Sequence, residues 1–207
     1  SDFYQNTGDF SGATGSSDLR LNLTEDSARL RYVQWRQYMD YILDTVPLQG
    51  VTMGEYEGES AWAGEASSDL GEKWRKRYAP GFENGPDDSG RSYHYAWGNA
   101  AFVVLSGCEG ATTLDSETDA PSAPLLSEAK KTWLVETLQH YHDWGYRWIF
   151  LVDHTQTNVG SNTDRSEWAF GDTWLDSPDL PWLREQMDKY GVQVVFCGHG
   201  HLGDTTL

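Results

Sequence analysis

Apolar residues recur along this chain at two spacings, and each spacing predicts a different element. Trp35, Met39, Ile42, Leu43 and Val46 fall at i, i+4, i+7, i+8 and i+11, one face of a helix running from about Glu25 to Val46. Thr24 is placed to cap it, Glu25 and Asp26 suit its first turn, and Pro47 stops it. A second helix runs from a Ser127 cap to about Trp144, with Leu134, Leu138 and Tyr141 on one face and Gly145 past its end. In a third, Asp179 caps, Pro181 opens and Gly191 closes a helix ending near Tyr190. A short helix from about Asp69 to Tyr78, capped by Ser68, is also expected.

Between the helices lie short apolar runs that read as strands: Asp2 to Thr7, Gly50 to Met53, Arg147 to Val152 and Val192 to Cys197. Ser92 to Trp97 and Ala100 to Leu105 read as a hairpin turning at Gly98-Asn99. The run Val194-Val195-Phe196-Cys197 reads as a buried strand. Residues 109–126, rich in Thr, Ser, Asp and Pro, carry no periodic signal. Strands alternating with helices predict an α/β domain with a largely parallel sheet. No repeat or linker divides the chain, so residues 1–207 are expected to form one domain.

Composition narrows the function classes. Hydrophobic content of 38% marks a globular chain, yet no apolar run approaches the ~18 residues that span a bilayer. A formal net charge of −17 opposes a nucleic-acid surface or an anionic membrane as partner. Cys108 and Cys197 are the only cysteines, which leaves one bridge or two packed thiols. Asn22-Leu23-Thr24 is a glycosylation acceptor pattern, meaningful in a secreted eukaryotic protein.

The candidate chemistry gathers at strand ends. After the last strand come Gly198-His199-Gly200-His201. Side chains at i and i+2 of an extended chain point the same way, so the two imidazoles can converge. Asp9, Glu55 and His154 each follow another predicted strand. In open α/β sheets ligands bind beyond the carboxyl ends of the strands. Carboxylates and imidazoles together suit Zn, Fe or Mn. Other polar residues receive plainer readings. His94 is a satisfied histidine of the hairpin; His140 and His142 lie on a helix without a partner at metal spacing. Trp62, Trp168 and Trp174 lie in loops that can wall a cleft, and Arg165 is a candidate phosphate contact.

These residues resemble the calcineurin-like metallophosphoesterase superfamily, and within it the purple-acid-phosphatase-like branch. The stretch from Asp2 to Asp9 looks like the family's strand and Gly-Asp motif. Tyr93 to Leu105 is similar to its hairpin, and Lys131-Thr132-Trp133-Leu134 to its "WL" helix. His154 corresponds to its lone metal histidine, and Gly198-His199-Gly200-His201 to its Gly-His-x-His motif. The resemblance implies a four-layer αββα sandwich, here incomplete at both ends, that holds two divalent or trivalent metal ions. Asp9 would bridge both metals, His154 and His199 would bind the second, and His201 the first. A metal-bound hydroxide would then hydrolyse a phosphate ester, as phosphatase or phosphodiesterase. Secretion or an extracellular location is expected on the same footing.

The chain also departs from the family pattern. No Asp-x-His motif occurs in it, so the first metal position keeps only His201 and the shared Asp9. One or no tightly held metal is therefore expected: either a separate segment or chain supplies the missing motif, or the first metal site is absent. At the Gly-Asn-His-Glu position stand Gly54-Glu55-Tyr56-Glu57. Glu55 offers an oxygen ligand in place of the asparagine. Tyr56 replaces the catalytic histidine, and a phenol is a poor general acid near neutrality. Gly12 stands where purple enzymes carry the tyrosine that ligates ferric iron. Two readings stay open: a metal-dependent phosphoesterase, or a catalytically impaired scaffold of that fold with a structural or binding role.

Overall fold

The structure is a computed structural model. It describes the backbone of residues 3–6 and 48–51, helical positions 30, 33, 34 and 37, and residues 84–86, 91–106, 126–153 and 177–197. Two sheets are formed. Strands β1 (Phe3–Asn6) and β2 (Leu48–Val51) pair in parallel, Phe3 with Leu48 through Asn6 with Val51. Strands β3 (Tyr93–Trp97), β4 (Ala100–Leu105), β5 (Trp148–Asp153) and β6 (Val194–Phe196) form a sheet in the order β3-β4-β5-β6. β3 and β4 are antiparallel; β4, β5 and β6 are parallel. Helix α1 (Glu128–Asp143) makes the crossover from β4 to β5, and α2 (Leu180–Tyr190) that from β5 to β6. The chain is thus a mixed α/β protein with the predicted hairpin beside two parallel strands.

Local chemistry sets the boundaries. The Ser127 hydroxyl accepts the Lys130 N–H at 3.2 Å and opens α1. Gly145, at φ +75°, ends it in the left-handed region, while Tyr146 N–H returns to the Tyr141 carbonyl at 3.1 Å. Gly98, at φ +59°, turns the two-residue hairpin.

The four-stranded sheet is covered on both faces. On one, Ala101, Val103, Leu105, Ile149 and Leu151 pack with Leu134, Leu138 and Tyr141 of α1 and Leu180, Leu183 and Tyr190 of α2. On the other, Tyr93, Tyr95, Phe102, Val104 and Val152 form a second buried cluster with stacked rings, Tyr95 on Phe102 at 4.9 Å. Burying a Leu, Ile or Val contributes about 1.5–3 kcal/mol, so the ten Leu, Ile and Val side chains named here dominate the stabilisation of this part of the molecule.

Five expectations need correction. β2 begins at Leu48, two residues before the predicted Gly50, because its pairing with β1 starts there, Leu48 against Phe3. The last strand is shorter than Val192 to Cys197: Val192 N–H bonds the Met187 carbonyl and so still belongs to the end of α2. β6 is also not buried. Val194 is 40% and Phe196 42% exposed, because β6 lies at the end of the described strand order. Cys197 beyond it is exposed too, which removes the packed-thiol reading there; Cys108 lies outside the described residues. Finally, Asp179 holds the N-cap position of α2 without a side-chain cap bond. Its carboxylate accepts the Leu126 N–H at 2.9 Å and the Lys131 ammonium at 2.8 Å, tying α2 to the start of α1.

The described positions of the first predicted helix are helical. Leu30, Gln34 and Gln37 are exposed there, off the face of Trp35 and Met39, whose side chains lie outside the described residues. The short helix at 69–78 and the stretch at 109–125 lie outside them as well. No helix among the described residues is long and apolar enough to cross a membrane.

Candidate metal centre

Parallel pairing determines where the candidate ligands leave the sheets. Val152 of β5 is in register with Phe196 of β6. His154 follows Val152 by two peptide links, and His199 follows Phe196 by three. Asn6 of β1 is in register with Val51 of β2, and Asp9 and Glu55 follow by three and four links. The structure therefore brings the exits together in two pairs, each at the carboxyl end of a parallel ladder. Asp9, Glu55, Tyr56, His154, His199 and His201 themselves lie outside the described residues, as do Trp62, Arg165, Trp168 and Trp174. Among the described residues no group of three or more His, Cys, Asp or Glu is placed to hold a metal. In chemistry the candidate set of two carboxylates and three imidazoles, with no thiol, fits Zn, Fe or Mn.

The described part of this sheet edge holds polar residues that periodicity alone misses. Asp153, the last residue of β5, is 0% exposed and in register with Leu105. Ser106, the next residue after Leu105, is buried; its N–H donates to the Ser92 hydroxyl at 3.0 Å. Its carbonyl accepts the Lys130 ammonium at 2.7 Å, and Lys130 is only 3% exposed. A lysine so placed is unusual twice over. Lysines are almost never fully buried, and a cation in the first turn of a helix opposes the helix dipole. One signal in the sequence does point to it: Lys130 precedes Leu134, Leu138 and Tyr141 at spacings that put it on the apolar stripe.

The described histidines have structural partners. His94 shares a 2.7 Å hydrogen bond between Nδ1 and the Tyr141 hydroxyl, and its ring meets Tyr141 edge-on at 5.4 Å. Its main chain exchanges two bonds with the Asn84 side chain, at 2.8 and 3.0 Å, which close this edge of β3. Burial, and secondarily the neighbouring His140, hold its pKa below the usual histidine value. Burial, helped by Tyr146, pushes the Tyr141 phenol up to about 12. His140 packs on Trp144, and His142 pairs with Asp143 at 3.0 Å. These match the plain readings made from the sequence.

No protein-family model matches the chain, and no curated protein matches it. Among solved structures, it is similar to the purple acid phosphatase PPD1 isolated from yellow lupin (Lupinus luteus) seeds, with a TM-score of 0.60 and 14% sequence identity. The match covers 96% of this chain and 30% of that one, so the chain spans less than a third of the phosphatase's length. At this identity the likeness is one of fold: nearly the whole chain is similar in fold to part of a purple acid phosphatase.

Proposed function

We propose that this chain carries the metal-binding edge of a metal-dependent phosphoesterase. The observation that carries the reading is the register of β5 and β6, whose carboxyl ends lead into His154 and into Gly198-His199-Gly200-His201. Neighbouring strands lie ~4.8 Å apart and each peptide link spans ~3.8 Å, so both histidines are tethered to one short stretch of edge. The β1-β2 ladder supplies Asp9 and Glu55 in the same manner. Burial on both faces of the larger sheet supports an αββα arrangement, in which the aromatic face around Tyr93 and Phe102 meets a second sheet. The fold likeness to a purple acid phosphatase agrees with this.

Asp9, Glu55, His154 and His199 would hold one ion, and His201 with the shared Asp9 would begin a second site. A transition metal usually needs three or four protein ligands, so the second site is incomplete from these residues, and a further segment or chain would complete it. Bound metal supplies Lewis acidity that neutralises charge on a phosphoryl group, which also reconciles an acidic protein with an anionic substrate. Tyr56, at the position of the family's catalytic histidine, gives this chain a weaker proton donor. That same residue favours the second reading, a scaffold impaired in catalysis. We place the protein outside the cell on the strength of the resemblance alone.

The test is titration of residues 1–207 with Zn²⁺ or Mn²⁺, with nitrophenyl phosphate hydrolysis assayed alongside. One tight equivalent, lost in His154→Ala, is expected. Two tight equivalents, or undiminished binding by His154→Ala, would sink the ligand assignment. Tight binding with no turnover, even with the completing segment added, would select the scaffold reading.

A further inference from the structure

The two ends of the β3–β6 sheet are fastened by different chemistry. At the hairpin end the fastening is neutral. Trp148 N–H donates to the Asn99 carbonyl at 3.2 Å, and the Gln193 side chain bonds Ile149 N–H at 2.7 Å and the Arg147 carbonyl at 3.3 Å. At the carboxyl end the Ser106 peptide is held by a hydroxyl and by a buried ammonium, beside a fully buried carboxylate. Alternation along β5 puts Asp153 on the side of Ile149 and Leu151, the side that α1 covers and from which Lys130 reaches the edge. A neutral amide fastens strand ends adequately at the hairpin. A buried charge costs several kcal/mol in desolvation, so the ammonium at the carboxyl end is a costlier fastening than the neutral amide at the hairpin end.

The register says what stands opposite. Leu105 is paired with Asp153 at the end of the β4–β5 ladder, and Ser106 and His154 are the residues that follow these two in sequence. We infer that Lys130 is a positioning residue for the candidate metal site: by holding the Ser106 peptide beside the last pair of the β4–β5 ladder, it fixes the end of β5 that leads into His154. The inference rests on the reading of His154 as a ligand.

The experiment compares Zn²⁺ affinity, by calorimetry, with urea stability for residues 1–207 and three variants. Lys130→Met keeps the apolar stem and removes the ammonium. Leu138→Ala loosens the same helix from its buried face, away from the edge. Ser92→Ala removes the partner of the Ser106 N–H and leaves every charge in place. Outer-sphere partners of metal ligands change affinity by about 10–100-fold when removed. The expected result is a fall of at least about 10-fold for Lys130→Met, a smaller fall for Ser92→Ala, and a value within about twofold of the parent for Leu138→Ala. If Lys130→Met does not fold, Ser92→Ala against Leu138→Ala carries the comparison. Unchanged affinity in Lys130→Met, or an equal fall in Leu138→Ala, overturns the positioning role and leaves the metal reading intact. A parent protein that binds no Zn²⁺ overturns the metal reading, and this inference with it.

Discussion

The hairpin end and the carboxyl end of the four-stranded sheet contrast in what they expose and what they bury. At the hairpin end Trp97 and Trp148 are both exposed on one face, flanking Ala100 through the pairs Trp97–Ala100 and Ala100–Trp148. The hydrogen bonds there are neutral, and the charged Arg147 lies over the Trp148 ring at 5.3 Å, where its head reaches water. At the carboxyl end Ser92, Ser106, Lys130 and Asp153 are all buried. The inversion is instructive because water would solvate the polar set without cost, whereas the interior does so only through built partners. A sheet that buries polar groups at one end and exposes tryptophans at the other is organised around the buried polar end.

The sharpest way to break this comparison is to truncate at each end. Lys130→Ala removes both the charged hydrogen bond to Ser106 and the stem that completes the apolar stripe, at an expected cost of about 2–4 kcal/mol in urea unfolding. Gly98→Ala forces a side chain into the left-handed region at φ +59°, where nothing else is crowded, at an expected cost of about 1–2 kcal/mol. The first should weaken Zn²⁺ binding and the second should not. Equal effects on binding would mean that the two ends are not functionally distinct.

The same contrast shows how much of the molecule was legible in its sequence. Helix α1 was read with its cap, its buried face and its stop, because Ser127, Leu134, Leu138, Tyr141 and Gly145 act locally and sequence spacing records local effects. The hairpin was read for the same reason. Exposure of Phe196 was not, since it depends on the place of β6 in the sheet order, which no window of sequence contains. Lys130 escaped because a pattern of apolar residues passes over a lysine whose stem behaves as apolar. The carboxylate of Asp179 was assigned to its own helix, while its partners Leu126 and Lys131 lie some 50 residues back in the chain. For the candidate ligands, the sequence supplied the strand exits and the residue types, and pairing supplied which exits are neighbours.

The smallest expected effect is a dependence on acid. His94 is the second residue of β3, at the end of the strand away from the hairpin turn, facing the Tyr141 hydroxyl with His140 nearby, and Asn84 holding its backbone. Its pKa is lowered in the folded state, first by burial and then by His140, so the folded protein prefers the neutral ring. The unfolded chain takes up a proton near the ordinary value of about 6.5, before the folded chain does. The contribution is therefore fully present above that pH and is lost as pH falls from it towards the lower folded value. Tyr141 does not disturb this window, because its phenol stays protonated up to about 12. Urea unfolding in steps below neutrality should show the loss, and His94→Gln should lessen its pH dependence. Hydrogen exchange should place the acid-induced loosening at β3 and α1, where His94 joins them, and spare the stitches of Trp148 and Gln193 at the hairpin end. Loosening that began at those stitches would show that the acid sensitivity of this sheet lies elsewhere than in His94.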